Sequence, residues 1–76
     1  MQLKDLSPGA KAKVLALSKD DMHYRRKLLT MGLTPGTELT VVRMAPMGDP
    51  IEIKLRGFSM TLRKAEAEAM TIEVMA

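Results

Sequence analysis

The chain has 76 residues, which suits one domain and leaves no room for two separate cores. It contains no cysteine, so disulfides and cysteine-based zinc sites are excluded. Its 12 Lys and Arg against 9 Asp and Glu give a net charge of +3, and Tyr24 and Phe58 are its two aromatic residues. Single-stranded nucleic acids are usually held by stacking on several rings, so we expect no nucleic-acid partner.

The first predicted elements are a strand and a helix. Apolar residues recur with strand-like spacing over residues 10–17. A helix is predicted over Lys19 to Met31, because apolar residues then recur at helical spacing. Ser18 is predicted to cap this helix, with Asp21 as the acidic partner of a capping box. Gly32 is predicted to end it, because glycine adopts the left-handed conformation common at helix ends.

A tight reversal of the chain is predicted after the helix. Pro35 and Gly36 fit the two central positions of a type II turn, where proline fixes φ and glycine allows a positive φ. A strand rich in β-branched residues begins at Thr37. The apolar residues change face between Val41 and Val42, which predicts a β-bulge or a strong bend.

The remaining chain reads as a loop, a hairpin, one helical turn and a last strand. Residues 45–50 contain two prolines and a glycine, which is typical of a loop. Alternating segments at residues 51–55 and 58–62 predict a β-hairpin. Residues 64–69 suit one helical turn, and residues 70–74 alternate as a strand.

These elements predict a mainly β fold with five short strands and one helix inserted after the first strand. The chain is too short for a sandwich of two full sheets, whereas a small barrel hides the edges of its strands. We therefore predict a five-stranded barrel in a single domain over residues 1–76. The N-terminus lacks a signal-peptide pattern and no segment has the length of a membrane span, so we expect a cytoplasmic protein.

The sequence offers little for catalysis or metal binding. His23 is the single histidine, and the helical spacing of Asp20, Asp21 and His23 spreads their side chains around the helix. The 8 methionines could favour a soft metal, but most fall at positions where methionine fills gaps in a core. The methionines predicted to pack against the core are Met31, Met44, Met60 and Met70. We predict no catalytic residue, no cofactor and no metal ligand.

Two surfaces remain as candidates for binding a partner. One is the basic face of the helix, and the other is the loop before the hairpin. Their residues are Arg25, Arg26, Lys27, Met47, Gly48 and Asp49. A solvated helix face and a rigid loop connection are the alternative interpretations, and both stay open at this point.

Three segments of the chain resemble one protein family. Residues 24–36, YRRKLLTMGLTPG, are similar to the signature of the FeoA family of bacterial ferrous iron transport. Residues 41–51, VVRMAPMGDPI, resemble the second block of the family, and residues 62–64, LRK, resemble its third. The similarity runs from about residue 3 to residue 73.

The resemblance implies a small SH3-like barrel that is not an enzyme. It implies an accessory or regulatory protein that binds the cytosolic guanine-nucleotide-binding region of a partner, the FeoB membrane transporter. The protein would then lie in the cytoplasm and reach the inner membrane through that transporter. The alternative is an Fe(II)-binding sensor or carrier, because the same fold occurs at the C-terminus of iron-dependent repressors. That the two surfaces contact the partner is our hypothesis.

Overall fold

Five antiparallel strands form one sheet in the computed structural model, which describes residues 1–75. The last residue of the predicted domain, Ala76, lies outside the described residues. The strands are β1 (Lys11–Leu17), β2 (Glu38–Met44), β3 (Ile51–Leu55), β4 (Phe58–Leu62) and β5 (Met70–Met75), and the helices are α1 (Met22–Thr30) and α2 (Lys64–Glu68). The strand order is β4-β3-β2-β1-β5. This architecture confirms the predicted mainly β fold with a helix inserted after the first strand.

The sheet curves around one hydrophobic core. Leu62 of β4 and Ile72 of β5 belong to opposite edges of the strand order, yet both lie in the same buried cluster. Met70 is fully buried in that cluster, and the other three methionines predicted to pack there lie against it: Met31, Met44 and Met60. The inward side chains of all five strands therefore share one interior, as in a small barrel.

A β-bulge interrupts each of two strands, β1 and β2, and the bulge in β2 was predicted. The pairing of β2 with β3 shifts register between Val41 and Arg43, which confirms the change of face in β2. A second shift, between Val14 and Ala16 in β1, was not predicted. Because the bulge changes the alternation, Leu17 is buried while Ala16 is exposed.

The end of α1 has the predicted geometry. Gly32 has a φ of +92°, and the amide of Leu33 donates to the carbonyl of Leu28 at 2.9 Å. This is the hydrogen bond of a Schellman motif, in which the residue after the glycine packs back on the helix. Leu33 is fully buried, as that packing requires. Gly36, at a φ of +95°, then completes the predicted turn.

The start of α1 differs from the prediction. The helix begins at Met22 instead of Lys19, and its N-cap is Asp21, whose carboxylate accepts from the amide of Tyr24 at 3.1 Å. Ser18 instead accepts from the amide of Asp20 at 3.2 Å. The predicted cap was therefore wrong by three residues.

The N-terminal segment contributes Leu3 and Leu6 to the core, although no element was predicted for it. A short 3₁₀ helix, Leu3–Asp5, places Leu3 in the fully buried cluster. The side-chain amide of Gln2 donates to the carbonyl of Met70 at 3.2 Å. The N-terminal segment is thus fixed against the junction of α2 and β5.

Candidate partner-binding surface

The first residue of the basic helix face, Arg25, belongs to the scaffold. Its guanidinium donates to the carbonyl of Leu17 at 3.0 Å, and its side chain is half-buried. This bond ties α1 to the end of β1, where the last carbonyls of a strand otherwise need a partner. That Arg25 also contacts a partner stays a prediction.

Arg26, the next residue, points to solvent. It is exposed, and its guanidinium forms no hydrogen bond or ion pair with any residue of the described range 1–75. An exposed arginine can stack, form two parallel hydrogen bonds to a carboxylate, and bury its aliphatic stem at low cost. Of the three basic residues, Arg26 is therefore the one whose side chain has no partner within residues 1–75.

Lys27 joins α1 to α2. Its ammonium forms an ion pair with the carboxylate of Glu66, whose side chain is only 5% exposed. Glu66 also accepts from the amide of Arg63 at 2.9 Å, at the start of α2. The ammonium of Lys27 is the main cause of a lowered pKa at Glu66, with the Arg63 amide adding to it and burial opposing it. A buried carboxylate at this position is tolerated because both contacts favour its charged form.

The loop between β2 and β3 presents one apolar side chain and one anchored carboxylate. Met47 is 84% exposed, more than any other large hydrophobic residue within residues 1–75. Inside the loop the amide of Gly48 donates to the carbonyl of Ala45 at 2.8 Å. Asp49 accepts from the amide of Lys64 at 3.3 Å. The loop is therefore held in place, and it displays Met47 outward.

Both predicted surfaces contact α2, which was not predicted as part of the site. Lys27 of α1 reaches Glu66 in the middle of α2, and Asp49 of the loop reaches its first residue, Lys64. Asp49 also lies 3.6 Å from the guanidinium of Arg63. The structure thus joins the helix face and the loop through α2, and we call these three parts together the α1–α2–loop surface.

Sequence reasoning missed Glu66 and Arg63 as organisers of this surface. Glu66 lies in an alanine-rich segment that reads as an ordinary exposed helical turn. The one local signal was its position three residues after Arg63, which is the spacing of a capping box. Its contact with Lys27 is tertiary and has no local signature.

Within residues 1–75, no group of three or more His, Asp or Glu side chains is placed to hold a metal ion. His23 instead lies edge-on to Tyr24, with ring centroids 5.5 Å apart. In the same range, no helix has the length and apolar character needed to cross a membrane.

Residues 1–74 match the family model described as the FeoA domain. The chain belongs to the FeoA domain family. This confirms the resemblance drawn from the sequence, and it associates the chain with a family of ferrous iron transport.

One relative joins this domain to a transporter. It is the Fe(2+) transport protein A/Fe(2+) transporter FeoB fusion protein of Porphyromonas gingivalis, 28% identical over 75 residues. The match covers 99% of this chain and 9% of that fusion protein. This chain therefore matches only a small part of the fusion protein.

Solved structures of FeoA proteins share the fold. A FeoA-like protein from Clostridium acetobutylicum is 39% identical and has a TM-score of 0.89, covering 100% of this chain and 87% of that one. The FeoA of Stenotrophomonas maltophilia in complex with zinc, described as a procaryotic SH3 domain protein, is 24% identical. Its TM-score is 0.80, and the match covers 96% of this chain and 89% of that one. These likenesses confirm the SH3-like fold.

The fold also occurs in a larger regulator. A manganese-dependent transcriptional repressor in complex with manganese has a TM-score of 0.90 at 20% identity. The match covers 99% of this chain and 36% of the repressor. At this identity the likeness concerns the fold alone.

Proposed function

We propose that this chain is a non-enzymatic accessory protein of ferrous iron uptake that binds the cytosolic guanine-nucleotide-binding region of a FeoB-type transporter. The observation that carries the proposal is the fusion of a similar domain to FeoB in Porphyromonas gingivalis. A covalent link keeps two domains at a high effective concentration, which is useful when they bind one another. The protein would then act in the cytoplasm, beside the inner membrane.

The α1–α2–loop surface supplies the features that such an interface needs. Arg26 and Met47 are exposed, and arginine and methionine are both enriched in protein interfaces. Lys27 holds the helix to α2, and Asp49 holds the loop to α2. The side chains of Arg26 and Met47 therefore project from a fixed backbone. A surface that is already ordered loses less entropy on binding.

The first experiment measures binding of this chain to the isolated cytosolic domain of the FeoB transporter, with and without guanine nucleotide. We expect Arg26→Glu to weaken binding about tenfold or more, because charge-assisted hydrogen bonds contribute roughly 1.5–3 kcal/mol. Lys19→Glu is the matched control, because Lys19 is also exposed and forms no ion pair within residues 1–75. Its charge reversal should leave affinity nearly unchanged.

Met47 provides a second, independent variant. Met47→Glu should weaken the complex without destabilising the fold, because this side chain makes no buried contact in the free protein. Asp49→Lys is a poorer test, since Asp49 also anchors the start of α2. If wild-type protein fails to bind the transporter domain, the partner is wrong. If wild type binds and both the Arg26 and Met47 variants bind equally well, the surface is wrong.

The alternative, an Fe(II)-binding sensor or carrier, stays a prediction. The repressor likeness concerns the fold alone and supplies no set of ligands. Anaerobic calorimetry with Fe(II) distinguishes the two functions. Saturable heat at micromolar protein would favour the metal-binding alternative, and its absence would exclude a tight site.

A further inference from the structure

A groove opens at the end of the sheet, away from the residues of the α1–α2–loop surface. The last pair of the β2–β3 ladder at this end is Thr40 with Lys54, and beyond it the two strands separate. The opening lies between the start of β2 and the turn that joins β3 to β4, and its volume is about 650 Å³. Ligand pockets commonly enclose roughly 300–1,000 Å³. The groove is therefore large enough for a ligand of several residues.

Positive charge dominates this groove. Lys11, Lys54 and Arg56 line it, against one carboxylate, that of Glu38. None of these three cations forms an ion pair with another residue in the range 1–75. The four ion pairs within that range are Lys4–Glu68, Lys27–Glu66, Arg43–Glu52 and Arg63–Asp49. The groove thus combines unpaired cations with concave shape, which focuses the field on an anionic ligand.

Arg56 occupies a backbone conformation that the turn itself does not favour for arginine. Its φ is +50°, and Gly57 follows at +85°, so the two form a two-residue hairpin loop between Leu55 and Phe58. Loops with positive φ at both positions favour asparagine, aspartate or glycine at the first. One guanidinium nitrogen of Arg56 lies 3.8 Å from where a Cβ on Gly32 would stand. Residues with strained backbone conformations of this kind cluster at functional sites, including sites that bind ligands.

The arrangement of the cations identifies the class of ligand. Thr40 pairs with both Lys11 and Lys54, so these two lysines lie about two interstrand spacings apart, or roughly 10 Å. That distance separates the two Cα atoms, and cations spread over this breadth favour a ligand that carries several anionic groups along a chain. Neither aromatic residue of the sequence lines the groove, and single-stranded nucleic acids are usually held by stacking on such rings.

We propose that this groove binds an extended acidic segment of a protein, with Arg56 forking onto one carboxylate and Lys54 and Lys11 binding others. Arginine suits the role because its planar fork forms paired hydrogen bonds with a carboxylate. The site shares no residue with the α1–α2–loop surface and does not depend on the transporter being the partner.

The test uses a fluorescein-labelled octapeptide of alternating glutamate and serine, followed by fluorescence anisotropy at about 0.05 M salt, where screening is weak. Wild-type protein should bind it, and Arg56→Asn should bind about tenfold or more weakly. The same variant should unfold at an equal or higher temperature, because asparagine is the favoured residue at that turn position. Lost binding with retained or raised stability separates a ligand-binding role from a structural one.

Control variants and probes complete the test. Lys54→Gln should also weaken binding, whereas Lys19→Gln removes an equal charge outside the groove and should not. If Arg56→Asn lowers the unfolding temperature, the Lys54→Gln result decides between the two roles. The proposal is overturned if the peptide does not bind, if Lys19→Gln weakens binding as much as Lys54→Gln, or if an oligonucleotide of equal charge binds more tightly. Binding of the transporter domain is measured separately through Arg26→Glu, so either proposal can fail alone.

Discussion

Gly32 carries the conformation on which the end of α1 depends. An added Cβ would meet only the flexible end of Arg56, at 3.8 Å, so crowding is not the constraint. The constraint is the φ of +92°, which costs a residue with a side chain about 1–2 kcal/mol. We expect Gly32→Val to lower the free energy of unfolding by at least that amount, measured by urea denaturation. Gly32→Asn should lose less, because asparagine tolerates this region, and equal losses in the two variants would contradict the explanation.

Glu66 links folding to pH. Its pKa is lower in the folded protein than its ordinary value of 4.5, chiefly because of the Lys27 ammonium. A group with a depressed folded pKa contributes stability that is present above the unfolded pKa and is lost as the pH falls through the folded pKa. We therefore expect Glu66→Gln to be less stable than wild type at pH 7 by about 1–3 kcal/mol. The difference should shrink as the pH falls below about 4.5.

The measurement is urea unfolding of both proteins at several pH values between about 3 and 7. Glu68→Gln is the matched control, because its carboxylate lies in the same helix and its ion pair with Lys4 is exposed, so the change in stability should be less than about 1 kcal/mol. Wild-type and Glu66→Gln curves that run parallel across the whole range would show that Glu66 does not carry this linkage.

Ser18 and Asp21 are both favourable N-cap residues, and Asp21 is the one that caps α1. We expect Asp21→Ala to lower the free energy of unfolding by about 0.5–2 kcal/mol, because it leaves the amide of Tyr24 without its partner. Ser18→Ala should have a much smaller effect. Circular dichroism and urea denaturation of both variants check this, and a larger loss in Ser18→Ala would restore the cap predicted from the sequence.

Local sequence could not decide between those two caps because Ser18 and Asp21 are both favourable N-cap residues. In the structure the amide of Ser18 donates at 2.7 Å to the carbonyl of Ala69, the residue that precedes β5. The unpredicted bulge in β1 has a similar origin, since apolar residues on both faces of this strand, including Leu15 and Ala16, leave its alternation ambiguous. The hairpin of β3 and β4, where alternation is unbroken, was predicted with its observed bounds.

Across the whole molecule, the sequence predicted what depends on short-range patterns and missed what depends on distant contacts. Strand count, helix position and family follow from alternation, turn residues and motif similarity. The role of α2 in the site depends on Lys27 meeting Glu66 and on Asp49 meeting Lys64. These partners are 39 and 15 residues apart in the sequence, and the fold alone brings them together.

Few contacts attach α1 to the barrel. The stability of this attachment can therefore be tested separately from the stability of the sheet. Leu28 is the one residue of α1 that is fully buried. Leu28→Ala should cost about 2–5 kcal/mol through lost burial and a residual cavity. A domain of this size has a total stability of roughly 4–11 kcal/mol, so the unfolding temperature should fall by about 10 °C or more.

Leu29→Ala is the matched control, because Leu29 lies next in the same helix and is 37% exposed, and it should cost less than about 1 kcal/mol. Equal losses in the two variants would mean that α1 contributes little to stability through Leu28.

Hydrogen exchange adds a second measurement of how α1 is attached. If Arg25 and Lys27 fix α1 only as long as Leu28 is packed, the amides of α1 in Leu28→Ala will exchange well before those of β2 and β3. The helix that presents Arg26 would then open as a unit of its own, and partner affinity should fall in Leu28→Ala even at temperatures where the sheet remains folded.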